Sequence, residues 1–577
     1  MPAMAVIEIV LVCLLVAALI SGRVSPVAAF ISFIIAVALL GSLPFRDLLA
    51  LLAEPALVAV VCLVLFSGVV ARMAWLRRLL FVRGQTGLRR IMARFLGLSA
   101  AISSVVPNTA VVGAFMGPAA RHPRVSAHLL LMPLSFMTLT AGMLTPFGTS
   151  ANLIIVGQAQ NLGIAIGPLD FVITGLAVVG AVLLVLVVTA PIVLREPADN
   201  GPQDQEFFHI EGKIPRDSAL AGRTVMDNKL RNLERFFLAE VMRGERVLSP
   251  VEPTEVLQEG DILVFVGDVQ YLDELASIDG LSISAEVPPG RRHDNILHAV
   301  VAANSPIAGL TLKEASFRSR FDASVFAIRR GDERLSGKLG QVRLRAGDLL
   351  VLAAGHDFPN RSDVRGQLHV VESEHAGLTN LDRPAAITVS IGFAAFLVLA
   401  FSGLVPFALA AMLLITFAIA GGFLSSRDVK RNFPFELVVI LWGSLTLGTV
   451  IAQSGLATSV AELLVSIAPG ITPALALGLV FLTTWALTEM LSNVSAALVA
   501  LPIGLEVARL VEAPPEAFIM IVAFGASANF LVPFGYQTHL MVMTPGGYSF
   551  ADFTRMGIFV LLAYGATSIL MINHLYL

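Results

Sequence analysis

The sequence predicts a polytopic α-helical membrane protein: two inverted repeats of five spans plus one re-entrant hairpin each, separated by a cytosolic α+β insert. Three observations carry this reading. The 577 residues are 56% hydrophobic and only 14% charged, with mean hydropathy +0.81, whereas a soluble domain is about a quarter charged. The long apolar runs fall in 1–195 and 384–577, while 196–383 reads as a soluble segment. Finally, LTPFGTSANL at 144–153 and LVPFGYQTHL at 531–540 place the same Pro-Phe-Gly inside apolar sequence.

A membrane span needs about 20 apolar residues. The first third offers 4–21, 25–43 and 51–73. Met4–Ile20 lacks a basic leader and a cleavage site, so a retained helix is expected rather than a signal peptide. The strip Arg72, Arg77, Arg78, Arg83, Arg89, Arg90 and Arg94 marks the cytoplasmic side and reads as a surface helix. Residues 95–120 are too few to cross twice, yet RHPR at 121–124 is again basic. A re-entrant hairpin with its tip at Pro107-Asn108-Thr109 satisfies both facts. Spans at 128–158, broken by the first PFG, and at 168–194 complete the repeat.

The last third follows the same plan. Spans at 385–402 and 404–424 lead to the basic RDVKR at 427–431, and another span follows at 435–453. The stretch 456–515 has one basic residue, Arg509, and reads as a hairpin from the opposite face with its tip at Ser492-Asn493-Val494. Spans at 516–546, with the second PFG, and at 551–575 close the chain. Both thirds run in one order: an Asn-bearing tip, PFG, then Asp-Phe-x-x-x-Gly, at Asp170-Phe171 with Gly175 and at Asp552-Phe553 with Gly557. Five spans per repeat is an odd number, so the second copy must be inverted, as in many secondary transporters.

The insert is itself doubled. SALAGRTV at 218–225 matches SPIAGLTL at 305–312, and EGDILVFVGD at 259–268 matches AGDLLVLAAG at 346–355, with one constant offset. Short β-runs bounded by turn residues predict two small α+β units, 196–285 and 286–383.

Broken helices within hydrocarbon survive only where protein or a water-filled cavity surrounds them. Their ends then offer N–H groups to an anion and carbonyls to a cation. Thr145, Thr149, Ser150 and Asn152 suit oxygen ligation at the first break, and Tyr536, Gln537, Thr538 and His539 replace them at the second. The tips, Asn108-Thr109 and Ser492-Asn493, carry no Lys or Arg, so an anion held there relies on neutral donors, helix dipoles and bound cations. Glu489 lies four residues before Asn493; an intramembrane carboxylate suggests cation coupling or a proton role, with a solvated interfacial position as the alternative. Glu54 and His128 lie at span edges. The two cysteines, Cys13 and Cys62, indicate neither a disulfide framework nor a metal site. No catalytic triad, P-loop or TVGYG filter points to an enzyme or a potassium pore, and nothing suggests nucleic acid binding.

Paired Asn-bearing hairpins, each followed by a Pro-Gly-broken helix, resemble the divalent anion:sodium symporters of the ion transporter superfamily over about 25–575. The doubled insert resembles the TrkA-C (RCK C-terminal) domains of a bacterial branch. This resemblance implies Na+ as coupling ion and no other cofactor. It implies one sodium at Asn108, Thr109, Gly148 and Asn152, and another at Ser492, Asn493, Gly535 and Thr538. The small anion would lie between the tips, at Asn108, Thr109, Ser492 and Asn493, beside Thr149, Ser150 and His539. It further implies a homodimer in the bacterial inner membrane, elevator-type movement, and an unidentified cytosolic small-molecule ligand for the insert. Pro107 and Val494 replace the Ser and Thr expected at the tips, and His539 falls opposite Asn152. The pocket expected is small, favouring sulfate over a dicarboxylate. A proton- or sodium-coupled dicarboxylate carrier and a gated channel are the alternative readings.

Overall fold

Apolar side chains and backbone satisfaction dictate most of the architecture. The computed structural model describes residues 3–21, 24–70, 87–194, 208–283, 296–370 and 383–577, less 105, 121, 123–124, 147, 165, 231–232, 234–235, 245, 268–274, 276–277, 303–304, 331–332, 336–338, 356, 359–360, 362, 403 and 467–469. Arg72, Arg77, Arg78, Arg83 and Phe147 lie outside these described residues, whereas Arg89, Arg90 and Arg94 lie on the helix Leu88–Ser103. The chain divides into two compact units.

The first unit comprises Met1–Leu194, Thr379–His539 and Phe550–Leu577 and is helical among its described residues. Among the described residues seven segments are long and apolar enough to cross a membrane: Phe45–Phe66, Ala127–Leu144, Leu169–Val193, Phe435–Gln453, Pro473–Met490, Asn493–Leu510 and Phe550–Tyr576. The sequence expectation of about ten spans is therefore not met one for one. Local punctuation is the reason. Ser25 caps one helix by accepting the Ala28 N–H (3.3 Å), and Gly41, at φ +69°, closes it. That leaves Pro26–Leu40 with 15 residues, about 22 Å of rise against about 30 Å of hydrocarbon. Phe407–Ala420, after Pro406, is similarly short.

The expected hairpins appear as helix pairs, Leu88–Ser103 with Asn108–Ala120 and Pro473–Met490 with Asn493–Leu510. In both, the tip asparagine is the first residue of the second arm. The arms of the second pair are each of spanning length. Both PFG segments interrupt helices: Ala127–Ala141 gives way to Ser150–Asn161, and Pro515–Ala526 to Gln537–Met543. The helix before each break, Ala127–Ala141 and Pro515–Ala526, is closely enclosed. In Ala127–Leu144, 83% of the residues are buried, against 33% of an 18-residue stretch of Leu169–Val193, which turns Leu169, Leu176, Leu184 and Ile192 outward. The order is physical: intact helices satisfy their own backbone and can face lipid, while broken ones need protein around them.

The repeated Asp-Phe-x-x-x-Gly now has a structural meaning. Asp170 accepts the Gly167 N–H (2.7 Å) and caps Pro168–Val193. A Cβ on Gly175 would meet the Met143 carbonyl, and one on Gly557 would meet the Phe530 carbonyl. Each glycine lets the closing helix of its half rest on the chain at that half's break.

The second unit comprises Arg195–Leu378 with Leu540–Ser549. Its strands are β1 (Phe208–Lys213), β2 (Phe236–Arg243), β3 (Arg246–Leu248), β4 (Ile262–Gly267), β5 (Ser282–Ile283), β6 (Ile296–Val301), β7 (Ala323–Arg330), β8 (Glu333–Leu335), β9 (Leu349–Ala354) and β10 (Leu368–Val370). They form two five-stranded sheets ordered β3-β2-β4-β1-β5 and β8-β7-β9-β6-β10, the same topology twice. All the pairings are antiparallel, and β2 and β7 bulge at matching positions, Leu238/Glu240 and Val325/Ala327. Buried ion pairs repeat as well: Arg243 grips Asp261 (2.9 and 2.9 Å) and Arg330 grips Asp348 (2.7 and 2.8 Å). Thr224 holds the Asp227 carboxyl below the usual carboxylate range, and Thr311 does the same for Glu314. Within this unit the Thr544 hydroxyl donates to the Gly347 carbonyl (2.5 Å).

Two substitutions test these contacts. Gly557→Ala should lower the melting temperature in detergent through an overpacking cost of about 1–3 kcal/mol. Gly180→Ala, with nothing within 4 Å of its Cβ, should leave it unchanged. Asp348→Ala strips Arg330 of its buried acceptor and should cost about 2–3 kcal/mol, seen as an earlier urea transition of the strand signal in circular dichroism.

Candidate functional site

The first half builds its site from three segments. At the hairpin tip, Ser103 Oγ lies 2.8 Å from Asn108 Oδ1 and 3.2 Å from the Thr138 carbonyl, which are both acceptors. Its hydroxyl thus bridges the tip asparagine to the helix that is about to break. Past the break, Thr145 donates to the Ser104 carbonyl (2.6 Å). Asn152 Nδ2 reaches back to the carbonyls of Thr145 (3.2 Å) and Gly142 (3.5 Å). Gly148 packs so tightly on the backbone of Gly142 that any Cβ would collide with it.

The second half repeats this clasp with other side chains. Thr488 Oγ1 lies 3.1 Å from Asn493 Oδ1 and 2.6 Å from the Ala526 carbonyl. Like Ser103, it stands five residues before its tip asparagine. Aligning the two PFG runs places Gly142 opposite Asn529, Gly148 opposite Gly535, Thr149 opposite Tyr536 and Asn152 opposite His539. His539 Nε2 lies 2.8 Å from the Asn529 carbonyl, which can only accept, so Nε2 carries the proton. Asn152 and His539 therefore serve the equivalent carbonyl in the two halves. A Cβ on Gly535 would collide with the Asn529 side chain.

Glu489 supports the second break. Its carboxylate accepts the backbone N–H groups of Phe530 (3.2 Å), Leu531 (3.0 Å) and Val532 (3.2 Å), and the indole N–H of Trp485 (3.2 Å). Three successive amides on one carboxylate form an internally filled anion nest. The first half holds Ser104 at the matching position.

Bonds also join the two halves. Asn108 Nδ2 donates to Tyr536 Oη (2.8 Å). Ser135 Oγ lies 2.7 Å from Thr538 Oγ1 and 2.7 Å from His539 Nδ1. Phe136 meets the His539 ring edge-on at 5.1 Å. Both nitrogens of His539 are thus engaged by protein groups, as in the sequence reading of a hydrogen bond to a neighbouring helix.

The other residues singled out in the sequence fall around this core. Thr109 and Ser150 are half-buried in first helical turns, and Thr149 Oγ1 accepts the Asn152 N–H (3.3 Å). Ser492 is exposed and caps the second arm by accepting the Ser495 N–H (3.2 Å). Thr538 is fully buried. Sequence reasoning missed Ser103, Ser135, Thr488, Ser527 and Asn529; the hydroxyl five residues before each tip asparagine was a signal that could have found two of them.

Two buried asparagines are left unfinished. The oxygens Asn152 Oδ1 and Asn529 Oδ1 have no hydrogen-bond partner, nor does the hydroxyl of the adjacent Ser527. All three residues are fully buried. An orphaned buried acceptor beside the break in each half, at positions that are not equivalent in sequence, asks for a positive ligand. Among the described residues no group of three His, Cys, Asp or Glu could hold a metal, so the donor set is neutral oxygen, suited to a hard monovalent cation and not to a transition metal.

Comparison with known proteins bears on what these groups do. The profile of the citrate transporter family, CitMHS, matches residues 14–509. An uncharacterized transporter of Synechocystis sp. is 31% identical over 476 residues, 79% of this chain and 78% of its own length. The uncharacterized transporter YfbS of Escherichia coli is 24% identical over 604 aligned positions, 96% of each chain. Sodium/sulfate cotransporter 1 of Chlamydomonas reinhardtii is 23% identical over 371 residues, 61% of this chain and 41% of that protein.

Proposed function

Since this chain belongs to the citrate transporter (CitMHS) family and is a multi-pass membrane transporter, not an enzyme, we propose that it carries a small divalent anion, sulfate before citrate, together with sodium. The observation that carries this reading is the pair of orphaned amide oxygens, Asn152 Oδ1 and Asn529 Oδ1. The first sodium is assigned to Asn108, Gly148 and Asn152. The second is assigned to Ser492, Asn493, Gly535 and Thr538, joined by Asn529 and Ser527. The anion lies between the tips, at Asn108, Thr109, Ser492 and Asn493, with Thr149 and Ser150 beside it, while His539 holds the second break. Neutral tips favour a compact anion whose charge is balanced by co-bound sodium. The similarity to sodium/sulfate cotransporters supports the same choice.

The repeated clasp supports two inverted repeats with hairpins entering from opposite faces, moving as an elevator against the first helices of each half. The apolar faces of Pro384–Ala400 and Phe407–Ala420, with Ile387, Ile391, Met412 and Leu413 exposed, suit a homodimer. In this reading the membrane is the bacterial inner membrane. The doubled sheets are TrkA-C-like, lie in the cytoplasm, and take a small-molecule regulator.

The second reading is a proton-coupled dicarboxylate carrier. The Glu489 geometry favours it, because a proton on that carboxylate would weaken its grip on three amides of the second break.

Uptake of labelled sulfate into proteoliposomes, with and without an inward sodium gradient, tests the proposal. Saturable uptake that needs the gradient is expected, with unlabelled citrate a weak competitor. Uptake driven by a pH gradient, indifferent to sodium and abolished in Glu489→Gln, would move the coupling to protons. Asn152→Ala and Asn529→Ala each remove an oxygen contact to a cation, about 1.5 kcal/mol or more. Each should raise the half-saturating sodium concentration roughly tenfold, read from initial rates at fixed sulfate.

A further inference from the structure

The two breaks differ most where Thr149 is replaced by Tyr536. Thr149 stays local: its hydroxyl accepts the Asn152 N–H, inside its own helix start. The tyrosine instead carries its hydroxyl across to the opposite half, where Asn108 Nδ2 donates to it at 2.8 Å. The orientation of that asparagine is fixed, because its Oδ1 faces the Ser103 hydroxyl. The phenol therefore spends one lone pair on the first tip and keeps its own proton. Among the described residues no protein group accepts that proton.

The ring is also held from behind. His539 lies 5.7 Å away at 61°, and is itself pinned by Ser135 and by the Asn529 carbonyl. Tyr536 is half-buried beside two fully buried neighbours, Thr538 and His539, so part of it is open to a ligand. A rigid aromatic thus stands beside the first tip, where the matching position of the other half carries only the small Thr149.

We propose that Tyr536 determines substrate specificity: its ring limits the anion site to a compact oxyanion, and its O–H, freed by the Asn108 bond, donates to that oxyanion. This rests on the anion-transport reading above. A tetrahedral oxyanion presents oxygens around one centre and can take the phenol and a tip amide together. A dicarboxylate must extend its second carboxylate into the volume the ring fills.

The test uses the full-length protein in proteoliposomes, measuring sulfate uptake with succinate as competitor. Tyr536→Phe keeps the ring and removes the donor; a lost hydrogen bond to a charged group should raise the KM for sulfate roughly tenfold or more. Its half-saturating sodium should stay that of the wild type. Tyr536→Thr removes the ring, and succinate should then compete with sulfate where it does not in the wild type. A KM in Tyr536→Phe and a sulfate-to-succinate preference in Tyr536→Thr both equal to those of a sulfate-transporting wild type would overturn the inference alone. A wild type that takes up neither anion would overturn the transport reading and this inference with it. If Tyr536→Thr fails to fold, judged by its melting curve, the near-isosteric phenylalanine variant still decides.

Discussion

A helix interrupted inside a bilayer leaves carbonyls and amides that no lipid can satisfy. The rest of the helical unit follows from that constraint. Ser103 and Thr488 each tie a tip asparagine to a carbonyl near the end of the helix before the break. Asn152 and His539 each reach back across the gap. Gly175 and Gly557 bring a closing helix onto the chain at the break. Around this centre the intact helices turn apolar faces outward.

The two halves solve one problem with exchanged parts. In the first, Gly142 has no side chain, and the space a Cβ would take is filled by Thr149 and Asn108. In the second, Asn529 fills the matching position, and the missing Cβ of Gly535 makes room for it. A longer imidazole then does the work of an amide. The exchange is also electrical, since Glu489 brings a carboxylate to the second break where the first has the neutral Ser104. A repeated clasp thus carries two chemically distinct breaks.

The second unit repeats its own logic at smaller scale. Each sheet anchors the strand after its Gly-Asp turn through an arginine on the neighbouring strand, Arg243 to Asp261 and Arg330 to Asp348. The two aspartates are fully buried or nearly so, and the arginine heads satisfy both of their oxygens. Such pairs add register more than stability, in keeping with two copies of one strand order.

Much was legible without coordinates. Hydropathy, the basic loops, the doubled PFG and the doubled insert followed from residue chemistry along the chain, because burial in lipid and turn formation are local demands. The tip asparagines and the break glycines were legible as repeated polar and small residues in apolar sequence; at the glycines a Cβ would collide with Gly142 or Asn529. What only the tertiary structure decided was partnership. Asn108 meets Tyr536, and Ser135 meets His539, from opposite ends of the sequence. Asn529 became visible only when its amide oxygen was found buried and unmatched. His539 could be read as a substrate donor, a proton switch or a hydrogen-bond partner of a neighbouring helix; the fold spends both of its nitrogens on the chain. Sequence supplies the donors and acceptors, but satisfaction is a property of pairs, and these pairs form only when the two halves close on each other.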